Sequence, residues 1–197
     1  RSDPATTAVA VPIYQTSSYQ FKNAETAANL FGLKEFGNIY TRIMNPTTDV
    51  LEKRVTKMEG GSAGVCTASG MSAIFLGIVT TCSAGDHIIA SASLYGGTDT
   101  MFRYTLPKMG ITVDFIEDLT ADKLKSAIKD NTKLVYFETI GNPKGDVLDF
   151  KAICDEAHHH DIPVMVDNTF APGFCKPSEH GVDIVVHSLT KWIGGHG

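Results

Sequence analysis

Nowhere does an apolar run approach the roughly 18 residues that a helix needs to cross a bilayer, which argues against a membrane span. No cluster of Lys and Arg disturbs the mildly acidic balance of 17 basic against 22 acidic residues, so nucleic acid is not an expected partner. Cysteine is sparse. Cys66, Cys82, Cys154 and Cys175 form no CxxC pair and no disulfide-like spacing, as expected of reduced thiols in a cytoplasmic protein. Cys66 and Cys82 lie on apolar segments and read as small core residues. GxxxxGK[ST] is missing, which argues against a P-loop, and so is the GxGxxG of a dinucleotide site. Repeats and low-complexity segments are absent, and Arg1-Ser2-Asp3-Pro4 opens no signal-peptide pattern. The triplet His158-His159-His160 suggests a metal, but adjacent helical residues point in different directions. A solvated helix end is the expectation, with no metal site.

With 43% hydrophobic residues, the 197-residue chain is expected to be globular, enough for one large core or a large domain plus a fragment. It starts at Arg1 and stops at Gly197 within Gly194-Gly195-His196-Gly197, so a piece of a longer polypeptide is expected. Residues 1–45 lack periodicity and read as an extended arm. Asn45-Pro46-Thr47-Thr48 opens a helix that Gly60-Gly61 ends. Gly64–Thr67 reads as a short strand, and a helix follows through Met71, Ile74, Ile78 and Val79. Strands are expected at His87–Ala90, Thr112–Ile116, Leu134–Glu138, Val164–Asp167 and Asp183–His187. Helices fall between them, notably Ala121–Lys129 and Phe150–His160. Such alternation implies an α/β fold, a mostly parallel sheet with helices on both faces.

The chemistry gathers at strand ends. Asp167, in Val166-Asp167-Asn168-Thr169, and Lys191, in Ser188-Leu189-Thr190-Lys191, lie 24 residues apart, each after a β-branched run. Both fall at the carboxyl edge of the sheet, where open α/β sheets bind ligands. A Lys there can form a Schiff base with an aldehyde cofactor, and an Asp can hold a protonated ring nitrogen. That pairing is what pyridoxal 5'-phosphate (PLP) chemistry requires; the alternative is an Asp–Lys ion pair. Ser69-Gly70-Met71-Ser72 turns a strand into a helix, so its N–H groups offer an anion site. Ser188 and Thr190 add hydroxyls suited to a phosphate. Tyr95, after another strand, can stack on a ring or simply pack beneath a loop. Asn142 can donate to a ring oxygen or serve only its turn, with Glu138 behind it.

Taken in order, Tyr40-Thr41-Arg42 with Asn45-Pro46, Ser69-Gly70-Met71, Leu94-Tyr95-Gly96-Gly97-Thr98, Glu138 to Pro143, Val166-Asp167-Asn168-Thr169 and Ser188-Leu189-Thr190-Lys191 resemble the Cys/Met-metabolism family of fold-type I PLP enzymes. That family includes cystathionine synthases and lyases, methionine γ-lyases and O-acetylhomoserine sulfhydrylases. Glu138 to Lys144 and Thr190 to Gly197 most resemble the sulfhydrylase branch. The resemblance implies that Lys191 carries the Schiff base, Asp167 the pyridinium nitrogen, and Tyr95 the ring face. Gly70, Met71, Ser188 and Thr190 would hold the phosphate, and Asn142 the ring hydroxyl. Tyr40 and Arg42 would reach the phosphate of a neighbouring subunit, in a homotetramer built from dimers that share sites. Residues 1–45 would then be an arm serving that neighbour. Residues 46–197 would be an incomplete PLP-binding large domain, without the C-terminal small domain and its substrate-carboxylate arginine. The implied reaction replaces the γ-acetate of O-acetyl-L-homoserine with sulfide or a thiol, giving homocysteine or methionine. A β/γ-lyase or a cystathionine γ-synthase is the rival; at Gly97, methionine γ-lyases tend to carry Cys. From another class, the chain could be an inactive fragment acting as an assembly module.

Overall fold

Near-continuous apolar runs such as Ile88-Ile89-Ala90 and Val164-Met165-Val166 need cover on both faces, and a parallel sheet between helix layers supplies it. The computed structural model describes Asp3 and residues 5–196. Expectations touching Arg1, Ser2, Pro4 and Gly197, including the last glycine of the closing stretch, lie outside the described residues. The chain divides into two compact units, Arg1–Lys57 with Ser62–Cys66, and Met58–Gly61 with Thr67–Gly197.

In the first unit the arm is not uniformly extended. Asn23 caps a helix, α1 (Ala24–Phe31), by accepting from the Thr26 N–H at 2.8 Å. Helix α2 (Pro46–Glu59) begins as expected with proline in its first turn; its last two residues belong to the second unit. Buried Asn45 accepts from the Thr47 N–H and donates to the Tyr14 carbonyl, which pins the arm to the start of α2. Gly64–Thr67 is not a strand. The Cys66 N–H turns instead to the Glu52 carboxylate on α2, at 2.8 Å, so a side chain takes the place of a ladder partner. Cys66 is only half-buried, unlike Cys82, which is core; all four cysteines are free thiols.

The second unit holds five parallel strands: β1 (His87–Ser91), β2 (Thr112–Ile116), β3 (Thr132–Glu138), β4 (Val164–Asp167) and β5 (Ile184–Val186). Their order is β2-β1-β3-β4-β5, so the winding reverses between β1 and β3. Alternate side chains supply two cores. Ile88, Ala90, Leu134, Tyr136 and Met165 pack against α3 (Gly70–Thr81) and a helical stretch that the sequence did not announce. That stretch comprises α4 (Gly96–Thr100), a π turn (Met101–Thr105) and a 3-10 turn (Leu106–Met109), which bury Phe102 and Leu106. Ile89, Val135, Phe137, Val164 and Val166 face α5 (Ala121–Ala127) and α6 (Phe150–His159). Strand β5 is shorter than expected because its flanking residues have other partners. Asp183 accepts from the Val164 N–H and from His158, and His187 turns away to Glu59.

Candidate functional site

Every strand of a parallel sheet ends at the same edge, so β1, β3, β4 and β5 deliver their following loops to one region. It includes the reversal between β1 and β3, the place where such sheets bind ligands. Glu138 and Asp167 are register partners on β3 and β4, with Val186 of β5 beyond. Glu138 is buried, and its Oε1 accepts the Tyr95 N–H at 2.6 Å, tying the loop after β1 to the end of β3. Burial pushes its carboxyl up to about 8; the N–H groups of Tyr95 and Asn142 oppose the shift, and the charges of Asp167 and Asp146 add to it. Asn142 sits half-buried in the loop that follows. Ser93 donates to Asp146 at 2.6 Å, and Gly141 donates to the Asp146 carbonyl, which closes that loop against the β1 end.

Asp167 accepts the Thr169 N–H at Oδ1, 2.9 Å away. Burial raises its pKa, and the Thr169 hydrogen bonds and the charge of His187 pull it down. Among the described residues no ion pair joins Asp167 to Lys191 or to any other cation, so a structural Asp–Lys pair is not what these residues form. Lys191 lies on an exposed turn, held by its own N–H to the Ser188 carbonyl and by the Gly195 N–H to its carbonyl. Thr190 is exposed beside it.

Helix α3 starts at the same edge. Ser69 caps it through the Ser72 N–H, and the N–H groups of Gly70 and Met71 donate to nothing among the described residues. Gly70 lies so close to Ser188 that an added Cβ would come within 2.8 Å of the Ser188 Cβ. The Ser188 N–H in turn donates to the Thr169 hydroxyl at 2.7 Å. Free amides, the start of a 12-residue helix and a serine therefore converge, as an anion site requires. Tyr95 is half-exposed, and a Cβ on Gly97 would come within 2.6 Å of its ring and 3.3 Å of the Met71 sulfur. Tyr40 and Arg42, in the first unit, are exposed, with the guanidinium 4.9 Å from the Tyr40 ring centroid.

Several residues of this region were not anticipated: Glu59, Asn168, His187, Thr139 and the Ser93–Asp146 pair. One signal was available. Glu59 ends its helix with a carboxylate, against the helix dipole, so a compensating partner was to be expected.

The profile of the Cys/Met metabolism PLP-dependent enzyme family matches residues 1–197, and the chain belongs to that family. The family is PLP-dependent, and an α/β parallel-sheet fold of type I is what the structure and its neighbours have in common. The chain is 54% identical over 196 residues to the O-acetyl-L-homoserine sulfhydrylase of Leptospira meyeri, covering 99% of this chain and 44% of that protein. It is 50% identical over 197 residues to the homocysteine synthase of Schizosaccharomyces pombe, covering 99% and 46%. Among solved structures, a Campylobacter jejuni protein described as an O-acetylhomoserine (thiol)-lyase superimposes with a TM-score of 0.95 at 41% identity, covering 100% of this chain and 48% of that one. That structure contains a pyridoxyl-lysine phosphate. The chain thus spans under half the length of the curated relatives it matches.

Proposed function

We propose that this chain carries the PLP-binding part of an enzyme that exchanges the γ-acetate of O-acetyl-L-homoserine for sulfide or a thiol, giving homocysteine or methionine. The observation that carries the reading is the convergence at one sheet edge of a half-buried carboxylate in no ion pair among the described residues, helix-start amides with no partner among them against a serine, and a half-exposed tyrosine. These features fit PLP group by group. Gly70, Met71, Ser188 and Thr190 hold the phosphate, Asp167 the ring nitrogen, Asn142 the ring hydroxyl, Tyr95 the ring face, and Lys191 anchors the aldehyde. Glu138 positions Tyr95 through its backbone N–H.

When bound, PLP supplies an electron sink for the bonds at the substrate Cα. Asp167 keeps the ring nitrogen protonated through a hydrogen bond between charged groups, worth about 1.5–3 kcal/mol. Beside a bound substrate, the Lys191 amine would be the group to move protons at Cα and Cβ. Tyr40 and Arg42 serve the phosphate of a neighbouring subunit, residues 1–45 form the arm that carries them, and the assembly is a homotetramer in the cytoplasm.

The names of the relatives support replacement, and so does Gly97, where the space against the Tyr95 ring leaves no room for a side chain without movement. The test is borohydride reduction with added PLP followed by peptide mapping, then an assay of O-acetyl-L-homoserine with sulfide. A pyridoxyl group on Lys191 and formation of homocysteine are expected. A 2-oxo acid as the main product would turn the reading to elimination, and a full-length protein that forms no adduct would overturn the cofactor assignment.

A further inference from the structure

Asp and Glu are almost never fully buried without a partner, and a helix C-terminus disfavours a carboxylate, yet Glu59 is buried at the last position of α2. Its Oε1 accepts from His187 Nε2 at 2.6 Å and from Asn168 Nδ2 at 3.0 Å. Asn168 also donates to the Cys175 carbonyl at 3.0 Å, and its Oδ1 accepts from the Thr139 hydroxyl at 2.7 Å. The Ser178 hydroxyl donates to the Glu59 carbonyl. A chain of hydrogen bonds, Thr139–Asn168–Glu59–His187, therefore runs across the ends of β3, β4 and β5. Asn168 directly follows Asp167, and His187 stands four residues before Lys191. Two atoms of the cluster, Glu59 Oε2 and His187 Nδ1, are buried with no hydrogen-bond partner among the described residues. Burying a carboxylate and an imidazole is costly even when they are bonded to each other, so packing alone does not account for them here.

We propose that Glu59 is a positioning residue of the cofactor site, acting through Asn168 and His187 to hold Asp167 in place. The inference rests on the PLP reading above. Asp167 pairs in register with Glu138 of β3 and accepts from Thr169 of its own loop, and its charge is felt by Tyr136 of β3 while that of His187, after β5, acts on it. In that set Glu138 is an acid, and His187 is the group whose charge favours the Asp167 carboxylate. Glu59 itself faces His187, Asn168, Cys175 and Ser178. Burial pushes the Cys175 thiol up, and the charges of Glu59 and Glu179 push it further. Removing the Glu59 charge weakens the acceptor that holds the His187 Nε2–H. The His187 ring, whose charge lowers the Asp167 pKa, is then less firmly placed, and a protonated Asp167 no longer holds a cationic ring nitrogen.

The test uses the holoprotein, with PLP affinity read from the visible band of the lysine-bound cofactor across a pH series. Glu59→Gln keeps the shape and one acceptor oxygen but removes the charge. The dissociation constant for PLP should rise about tenfold at neutral pH, the size of loss that metal sites show when a metal-binding side chain loses its outer partner. The acid limb of the affinity profile should move to higher pH. His187→Gln should do the same, and the double variant should be no worse than either single one, because both act through one contact. An unmoved acid limb with unchanged affinity in Glu59→Gln overturns the proposal, as do additive effects. If Glu59→Gln does not fold by circular dichroism, His187→Gln decides alone, and an unmoved limb there overturns it. Borohydride trapping on the unsubstituted protein separates the two readings. No adduct on Lys191 overturns both, whereas an adduct with unmoved limbs overturns this one and leaves the cofactor assignment standing.

Discussion

Glu138 and Asp167 are register partners on adjacent strands, and both acids are pushed up by burial, so each surrounding hydrogen bond decides which one carries charge. Glu138 holds its proton in the fold up to about 8, whereas the ordinary value is 4.5. Between those limits the folded chain binds one more proton than the unfolded chain, so this residue makes stability fall as pH rises through the window. In cofactor-free protein, Glu138→Gln should flatten that decline between about pH 5 and pH 8 in melting temperatures taken by circular dichroism. A variant with the original slope would show that Glu138 is not the titrating group. The sequence alone marked Glu138 as a support for Asn142, but not as the acceptor of the Tyr95 N–H. Which loop lands on a strand end depends on strand order, and local pattern does not encode that order.

At the scale of elements, the start of α3 shows how a glycine can be demanded by its neighbour and not by its own dihedral angles. An added Cβ at Gly70 would meet the Ser188 Cβ at 2.8 Å and the Ser188 Cα, a backbone atom, at 3.0 Å. At Gly77, on the same helix, it would meet the Met165 Cε at 2.5 Å, the far end of a flexible side chain. Gly70→Ala should therefore destabilise by about 1–3 kcal/mol, the cost of overpacking. Gly77→Ala should cost less, because Met165 can move and alanine gains roughly 1 kcal/mol of helix propensity. Urea titrations compare the two; a costlier Gly77→Ala would mean that α3 is held against β4 more rigidly than against Ser188. The five strands were legible because their apolar runs admit no wet face. Gly64–Thr67 misled because an apolar run signals burial but not whether a partner strand exists, and here the Glu52 side chain takes the amide instead. The helical stretch from Gly96 to Met109 was hidden by Gly96, Gly97 and Pro107, poor helix formers that the burial of Phe102 and Leu106 outweighs. In the arm, α1 was overlooked, although Asn23 three residues before Thr26 is a capping signal.

At the scale of the whole sheet, the two ends differ in kind. The amino end is closed by a satisfied cluster: buried His87 meets the Thr132 hydroxyl at 2.9 Å and Asp114 at 3.2 Å, and Lys129 joins Asp114 at 2.6 Å. Burial, followed by the charge of Lys129, lowers the His87 pKa, so the ring stays neutral and structural. The carboxyl end adds groups that have no hydrogen-bond partner among the described residues, the amides of Gly70 and Met71 and the Lys191 amine, beside the half-exposed Tyr95 ring. Free groups are what a ligand can engage, and satisfied ones change little when it binds. Hydrogen exchange followed by mass spectrometry, with and without PLP, tests that asymmetry. PLP should slow exchange in the peptides containing Gly70–Met71, Tyr95–Thr98 and Asp167–Ser188, and leave those containing His87 and Thr132 unchanged. The strand peptides of β1, β3 and β4, buried on both faces, should exchange slowest in either state, and the edge strand β2, which starts at exposed Thr112, should exchange faster. Protection concentrated at His87 and Thr132 would place the cofactor at the wrong end of the sheet, and the assignment of Asp167, Gly70 and Ser188 would fall with it.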